Sequence, residues 1–169
     1  MKPSCLILFA LFAASSFTFA PQTILVPDVG VSLRIPDDWK QNENDKFGIV
    51  ICPATEEKKK IRIHLTAHKG MPAKEAVQRC LDKINEARIA KGQAPEAIIS
   101  STPITTRTGI AGQKAIFGQQ DDLATAYLNR YYFERPDGRL FCVCVYHYGD
   151  LKFSADAERM IITGLTLKK

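Results

Sequence analysis

The chain has 169 residues, 46% of them apolar and 24% charged, with 23 Lys and Arg against 18 Asp and Glu for a formal charge of +5. Those proportions belong to a globular domain with its own core and exclude a disordered, collagenous or low-complexity polymer. The basic excess is small and scattered. Its one run, Lys58-Lys59-Lys60, directly follows Glu56-Glu57, so the concentrated basic face with interleaved aromatics that a nucleic-acid binder needs is missing and no nucleic-acid partner is expected.

In chain order, Met1-Lys2 leads into an apolar stretch from Cys5 to Ala14 and a tail of small residues ending at Thr18-Phe19-Ala20. One positive charge, an apolar run of about ten residues and a small-x-small end make the three-part pattern of a cleavable secretory signal. The run is too short for a bilayer core, which takes about 20 apolar residues. Cys5 opens the run rather than following it, so lipidation is not expected. The organisation read here is a signal peptide over residues 1–20 and a single domain over residues 21–169, secreted or periplasmic, with no stable membrane insertion after cleavage. Loss of Lys2 and of no acid lowers the charge from +5 to +4.

Within the domain, Val31, Leu33 and Ile35 alternate with Ser32 and Arg34, a half-buried strand closed by Pro36. Asp37-Asp38-Trp39 reads as a turn or short helical piece with Trp39 plugging the core. Residues 47–52 are apolar on both faces, an interior strand closed by Pro53. Ile61, Ile63, Leu65 and Ala67 alternate with Arg62, His64, Thr66 and His68, a strand with one wet face. From Pro72 to Lys91, Val77, Cys80, Leu81 and Ile84 recur at helical spacing, so one stripe of a long helix packs inward and Gly92 stops it.

Further strands are expected over residues 97–106, broken by Pro103, then 112–118 and 126–134. Arg135-Pro136-Asp137-Gly138-Arg139 is a tight turn that joins the last of these to Leu140–Tyr146, a run apolar on both faces and therefore central. Ser154 is expected to cap a second helix with Ala157, Met160 and Ile161 inward, ended by Gly164 and followed by a short tail, Leu165-Thr166-Leu167. Strands, a long helix, antiparallel strands and a final helix make an α+β fold, a largely antiparallel sheet covered on both sides.

The segments GVSLRIPDDW, ERPDGRLFCVCVYHY and FSADAERMIITGLTL, with the long helix that follows a wet-faced strand, resemble the PsbP-like superfamily, which takes in the extrinsic photosystem II protein, the Ran-binding nuclear import factor and exported bacterial domains of the DcrB type. The chain departs from that pattern after the last helix, where Gly164-Leu165 stands in place of a frequent Ser-Phe pair. The resemblance implies an α/β/α sandwich and a non-enzymatic binding or assembly role, with no shared catalytic residues to carry over.

His64, His68 and His147 invite a metal site, but His64 and His68 on one regular strand lie about 13 Å apart, against about 4 Å for two ligands of one ion. That leaves His147 and His64 as weak candidates across strands, and no cofactor is expected. Four cysteines remain beyond Cys5: Cys52, Cys80, Cys142 and Cys144. An even count in an exported chain suggests a disulfide. Cys142 and Cys144 share a strand face about 6.6 Å apart at Cα, with parallel Cβ vectors, which argues against pairing with each other and against joint zinc ligation. Cys80 on the inward stripe of the long helix could reach one of them, closing a loop that would stabilise by about 4 kcal/mol. The alternative is that all four are buried free thiols.

No Gly-x-Ser-x-Gly elbow or glycine-rich phosphate loop is present; Asp37-Asp38 and Asp121-Asp122 fall in turns, and Tyr127, Tyr131, Tyr132, Phe133, Phe141, Tyr146 and Tyr148 read as core and cross-strand pairs. The expectation is therefore an exported, non-enzymatic domain that binds a partner protein or assembles with an envelope complex. The alternative is a small-ligand or metal-binding module with its cleft between sheet and long helix, near Tyr146, His147 and Tyr148.

Overall fold

The computed structural model describes residues 21–42, 48–118 and 127–168. Residues 1–20, read as a signal peptide and including Cys5, and Phe47, Asp121, Asp122 and Ala126 lie outside the described residues. No helix among the described residues is long and apolar enough to cross a membrane.

Twelve elements follow in order: β1 (Gln22–Val26), β2 (Val31–Ile35), β3 (Trp39–Asn42), β4 (Ile49–Pro53), β5 (Lys60–Lys69), α1 (Ala73–Ile89), β6 (Ala97–Thr105), β7 (Ala111–Gly118), β8 (Leu128–Glu134), β9 (Arg139–Tyr146), α2 (Leu151–Gly164) and β10 (Leu165–Leu167). Seven strands form the main sheet in the order β3-β4-β5-β9-β8-β7-β6, and β1-β2-β10 form a second, three-stranded sheet. Every pairing is antiparallel. The fold is α+β, with a helix on each face of the main sheet.

The central position of β9 follows from its residues. Side chains alternate across a strand, and both sets are apolar here. Phe141, Val143 and Val145 join Tyr131, Phe133, Ile61 and Ile63 on one face. Leu140, Cys142 and Cys144 join Leu128, Tyr132 and Ala115 on the other. The second face is covered by α1 through Ala73, Ala76, Val77 and Leu81. The first is covered by α2 through Ala157 and Ile161 and by the small sheet through Val31, Leu33 and Ile35. Helices alone therefore do not enclose the sheet: β1, β2 and β10 share one side with α2.

Four local expectations need correction. Asp37 and Asp38 form the expected turn and Trp39 plugs the core, but Trp39 already belongs to strand β3 rather than to the turn, and its ring stacks on Phe153 of α2 at 5.6 Å between centroids. Pro103 does not break β6, because β6 pairs only with β7 and is an edge strand, where a missing N–H costs no ladder bond. Residues 165–167 are a strand on β2, not a loose tail. The cap of α2 is Asp150, whose carboxylate accepts the Phe153 N–H at 2.9 Å. Ser154 lies inside the helix, buried, and its hydroxyl accepts from Asn129 Nδ2 at 2.7 Å, tying α2 to β8.

Gly112 marks a close backbone approach in the main sheet. A Cβ there would stand 2.3 Å from the Tyr132 carbonyl oxygen and 2.6 Å from Phe133 Cδ1. Gly112→Ala is expected to destabilise by about 1–3 kcal/mol, as overpacking does, read as a lower urea midpoint at unchanged slope. An unchanged midpoint would show that the β7–β8 pair gives way at no cost.

Asp150 also accepts from Lys59 Nζ at 2.5 Å, and chiefly for that reason its carboxyl is held below the ordinary range. Its ionised form thus stabilises the fold above the unfolded value of about 3.9, and that contribution is lost as pH falls through the lower folded value. Asp150→Asn keeps a capping side chain but loses the ion pair. Its melting temperature should fall below that of the natural chain at pH 7, and the two should converge as pH falls below the ordinary carboxyl value of about 3.9 and on through the lower folded one. A gap independent of pH would assign the effect to the cap alone.

Candidate functional site

Two regions gather the residues that carry chemistry. The first lies on the α1 face of the main sheet. Register places Arg62 of β5 and Arg130 of β8 directly opposite Cys144, one on each side. In the neighbouring row, His64 and Tyr132 flank Cys142. Cys80 comes down from α1 onto the same cluster, where it and Tyr132 interact electrostatically. The Arg130 guanidinium lies over the Phe117 ring at 4.8 Å from its centroid, and Arg62 Nη1 donates to the Tyr146 hydroxyl at 3.3 Å.

Cys142 and Cys144 are almost wholly buried, 2% and 5% exposed, yet their sulfurs stand only 3.6 Å apart. The parallel-Cβ picture is corrected here: staggered side chains can turn their sulfurs toward each other along the strand. All four described cysteines are free thiols, so the expected Cys80 bridge is not formed. Cys80 engages Tyr132, and the two β9 thiols engage each other. Hydrogen bonding from Cys142, and then the guanidiniums of Arg130 and Arg62, hold Cys144 below the ordinary thiol value, while burial pushes Cys142 well above it. Cys52, on β4 two strands away, is buried and its thiol is raised by that burial.

The second region is the end of the main sheet where β9 turns into α2. His147 is buried, on the α2 side of the sheet. Its Nδ1 accepts the Gly149 N–H at 3.2 Å, its Nε2 has no hydrogen-bond partner, and burial lowers its pKa below the ordinary value. Tyr148 follows with φ of +48°, the one non-glycine residue among the described residues with positive φ. A side chain with a Cβ resists that region, at a cost of about 1–3 kcal/mol. The strained backbone sends the ring outward, 58% exposed, where it stacks on Tyr127, itself 46% exposed, at 6.2 Å. Leu151, at the start of α2, is 71% exposed.

Lys60 of β5 pairs with Tyr146 and lays its ammonium over that ring, so the Lys58–Lys60 turn shares this end of the sheet. The aromatics read from sequence as core thus divide. Tyr131, Tyr132, Phe133 and Phe141 are buried, with Phe133 and Phe141 stacked at 5.3 Å, whereas Tyr127 and Tyr148 are surface groups.

The cleft expected around Tyr146, His147 and Tyr148 does not form. Tyr146 packs on the α1 side, His147 faces the α2 side and Tyr148 faces solvent. Successive strand residues point to opposite faces, so the three could converge only at a bend inward. For the same reason His64, on the α1 side, and His147 cannot meet at one ion. Among the described residues no group of three or more His, Cys, Asp or Glu is arranged to hold a metal. Two open depressions, of about 390 and 250 Å³, lie elsewhere: one by Arg34, Arg107 and Thr163, the other by Gly70, Glu134 and Arg135. Three serines hydrogen-bond within the frame, Ser32 with Thr166, Ser101 with Gln113 and Ser154 with Asn129.

No family model matches the sequence, and no curated protein matches it. Among solved structures, a Bacteroides thetaiotaomicron protein is 18% identical over 87% of this chain and 48% of its own, with a TM-score of 0.45. The solution structure of the cyanobacterial PsbP protein of Synechocystis sp. PCC 6803 is 12% identical, covers 84% of this chain and 88% of its own, and superposes with a TM-score of 0.55. At that identity the likeness concerns the fold, and the fold of this chain is PsbP-like.

Proposed function

We propose that this chain is an exported accessory domain, without a reaction of its own, that docks on a partner protein through the end of the sheet carrying Tyr127, Tyr148 and Leu151. The exposed Tyr148 ring at φ of +48° carries the reading. Backbone strain and exposed aromatic surface both cost the isolated fold stability, and such features accumulate where a surface is used. Tyrosine is also enriched at the centres of protein interfaces, where it brings large rigid area at low entropy cost.

The surrounding charge selects the partner. Lys58, Lys59 and Lys60 lead into β5 at this end of the sheet and Lys152 follows Leu151, while Asp150, close to Tyr148 in the chain, is bound by Lys59. The complement is an apolar surface rimmed by carboxylates. Export is the part of the proposal carried by residues 1–20, whose charge, apolar run and small-residue end fit a signal peptide.

A photo-cross-linking residue at position 148, introduced in intact cells, should give one defined adduct, and the same residue at exposed Lys69, at the opposite end of β5 beside Arg139, should give none. Combined Lys58→Glu, Lys60→Glu and Lys152→Glu should abolish the adduct. Tyr148→Asn should abolish docking yet change stability by less than about 1 kcal/mol, because relief of strain offsets the lost ring contact. Equal labelling from both positions, or an adduct indifferent to the lysines, would sink the proposal.

A further inference from the structure

The paired thiols of β9 take no part in that docking end, and their surroundings suit a specific ligand. We propose that Cys142 and Cys144 form a two-coordinate binding site for monovalent copper, buried between the main sheet and α1.

Distance is the first support. Two sulfurs bound at about 2.3 Å to one ion stand about 3.8 Å apart at a tetrahedral angle and about 4.6 Å apart on a line. Two-coordinate monovalent copper takes the linear arrangement, so the sulfurs, already close enough to share one ion at 3.6 Å, move apart by about 1 Å through side-chain rotation on uptake. A disulfide asks more, since the sulfurs must close to about 2.05 Å while the Cα atoms of alternate strand residues stay near the upper limit for a bridge.

Donor number and charge narrow the ion. Thiolates select soft ions. Zinc takes four ligands, and no third and fourth donor is arranged here among the described residues. Monovalent copper is satisfied by two thiolates. Its bis-thiolate complex carries one net negative charge, and Arg62 and Arg130 face Cys144 from both neighbouring strands to balance it. Uptake forms two S–Cu bonds, breaks the S–H bonds and releases up to two protons to solvent; no electron is transferred. Cys144, already held toward its thiolate by Cys142 and the two guanidiniums, supplies the first bond.

The test uses the full chain, reduced and free of oxygen, against copper(I) held as its coloured bicinchoninate complex. The natural chain should withdraw one equivalent, and Cys52→Ser should do the same. Cys142→Ser combined with Cys144→Ser should withdraw none while keeping the circular dichroism of the parent. Arg130→Gln should hold the ion about tenfold or more weakly, as loss of groups around a metal's ligands does. Copper-edge X-ray absorption of the loaded natural chain, independent of any variant, should show two sulfur neighbours. Failure of the natural chain to compete, full uptake by the double variant, or a shell of nitrogen and oxygen alone would overturn the proposal.

Discussion

The structure depends on the hairpin of β8 and β9, and above all on β9, whose buried side chains are apolar on both faces. A strand buried on one side can leave its other side to water, but Phe141 and Val143 on one face and Leu140 and Cys142 on the other cannot both be left wet. Each fully buried side chain of this size contributes about 1.5–3 kcal/mol, so two covers are required rather than one. On one side α1 suffices. On the other, α2 covers only part of the seven-stranded sheet, and the three-stranded sheet fills the remaining area.

That second cover is assembled from both ends of the domain. β1 and β2 come before the main sheet and β10 comes after it, so the small sheet closes only when the last strand pairs with β2. The join is tight: α2 passes into β10 without a loop, and a Cβ on Gly164 would stand 2.9 Å from the Arg34 carbonyl oxygen. The pairing is reinforced by Ser32 with Thr166 at 2.6 Å and by the Lys168 N–H donating to the Gly30 carbonyl at 2.9 Å. The place where the sequence departs from the Ser-Phe pattern is thus one where only glycine fits without displacement.

Most of the main sheet could be read from residue pattern. Leu140–Tyr146 announced a central strand, Ile61–Ala67 a strand with one wetter face, and Val77, Cys80, Leu81 and Ile84 the inward stripe of α1. What stayed hidden depends on partners far away in the chain. Gln22–Val26 and Leu165–Leu167 are strands because β2 receives them, and nothing in their own alternation says so. The row Arg62–Cys144–Arg130 follows from the register of β5, β9 and β8, which local sequence does not encode across a gap that includes a whole helix. The outward turn of Tyr148 is a backbone property, and a tyrosine gives no hint of positive φ as a glycine would.

The main sheet is open, so it ends in two edges that must not recruit other chains. At one, β6 carries Ser100, Ser101, Thr102 and Pro103. Proline offers no N–H to an incoming strand, and the hydroxyl-bearing residues beside it favour water over stacking. At the other, β3 is only four residues long and shows Lys40 and Asn42 to solvent. Neither border is a good template for self-association, so a protein whose sheet centre is unusually greasy is guarded at its margins against aggregation.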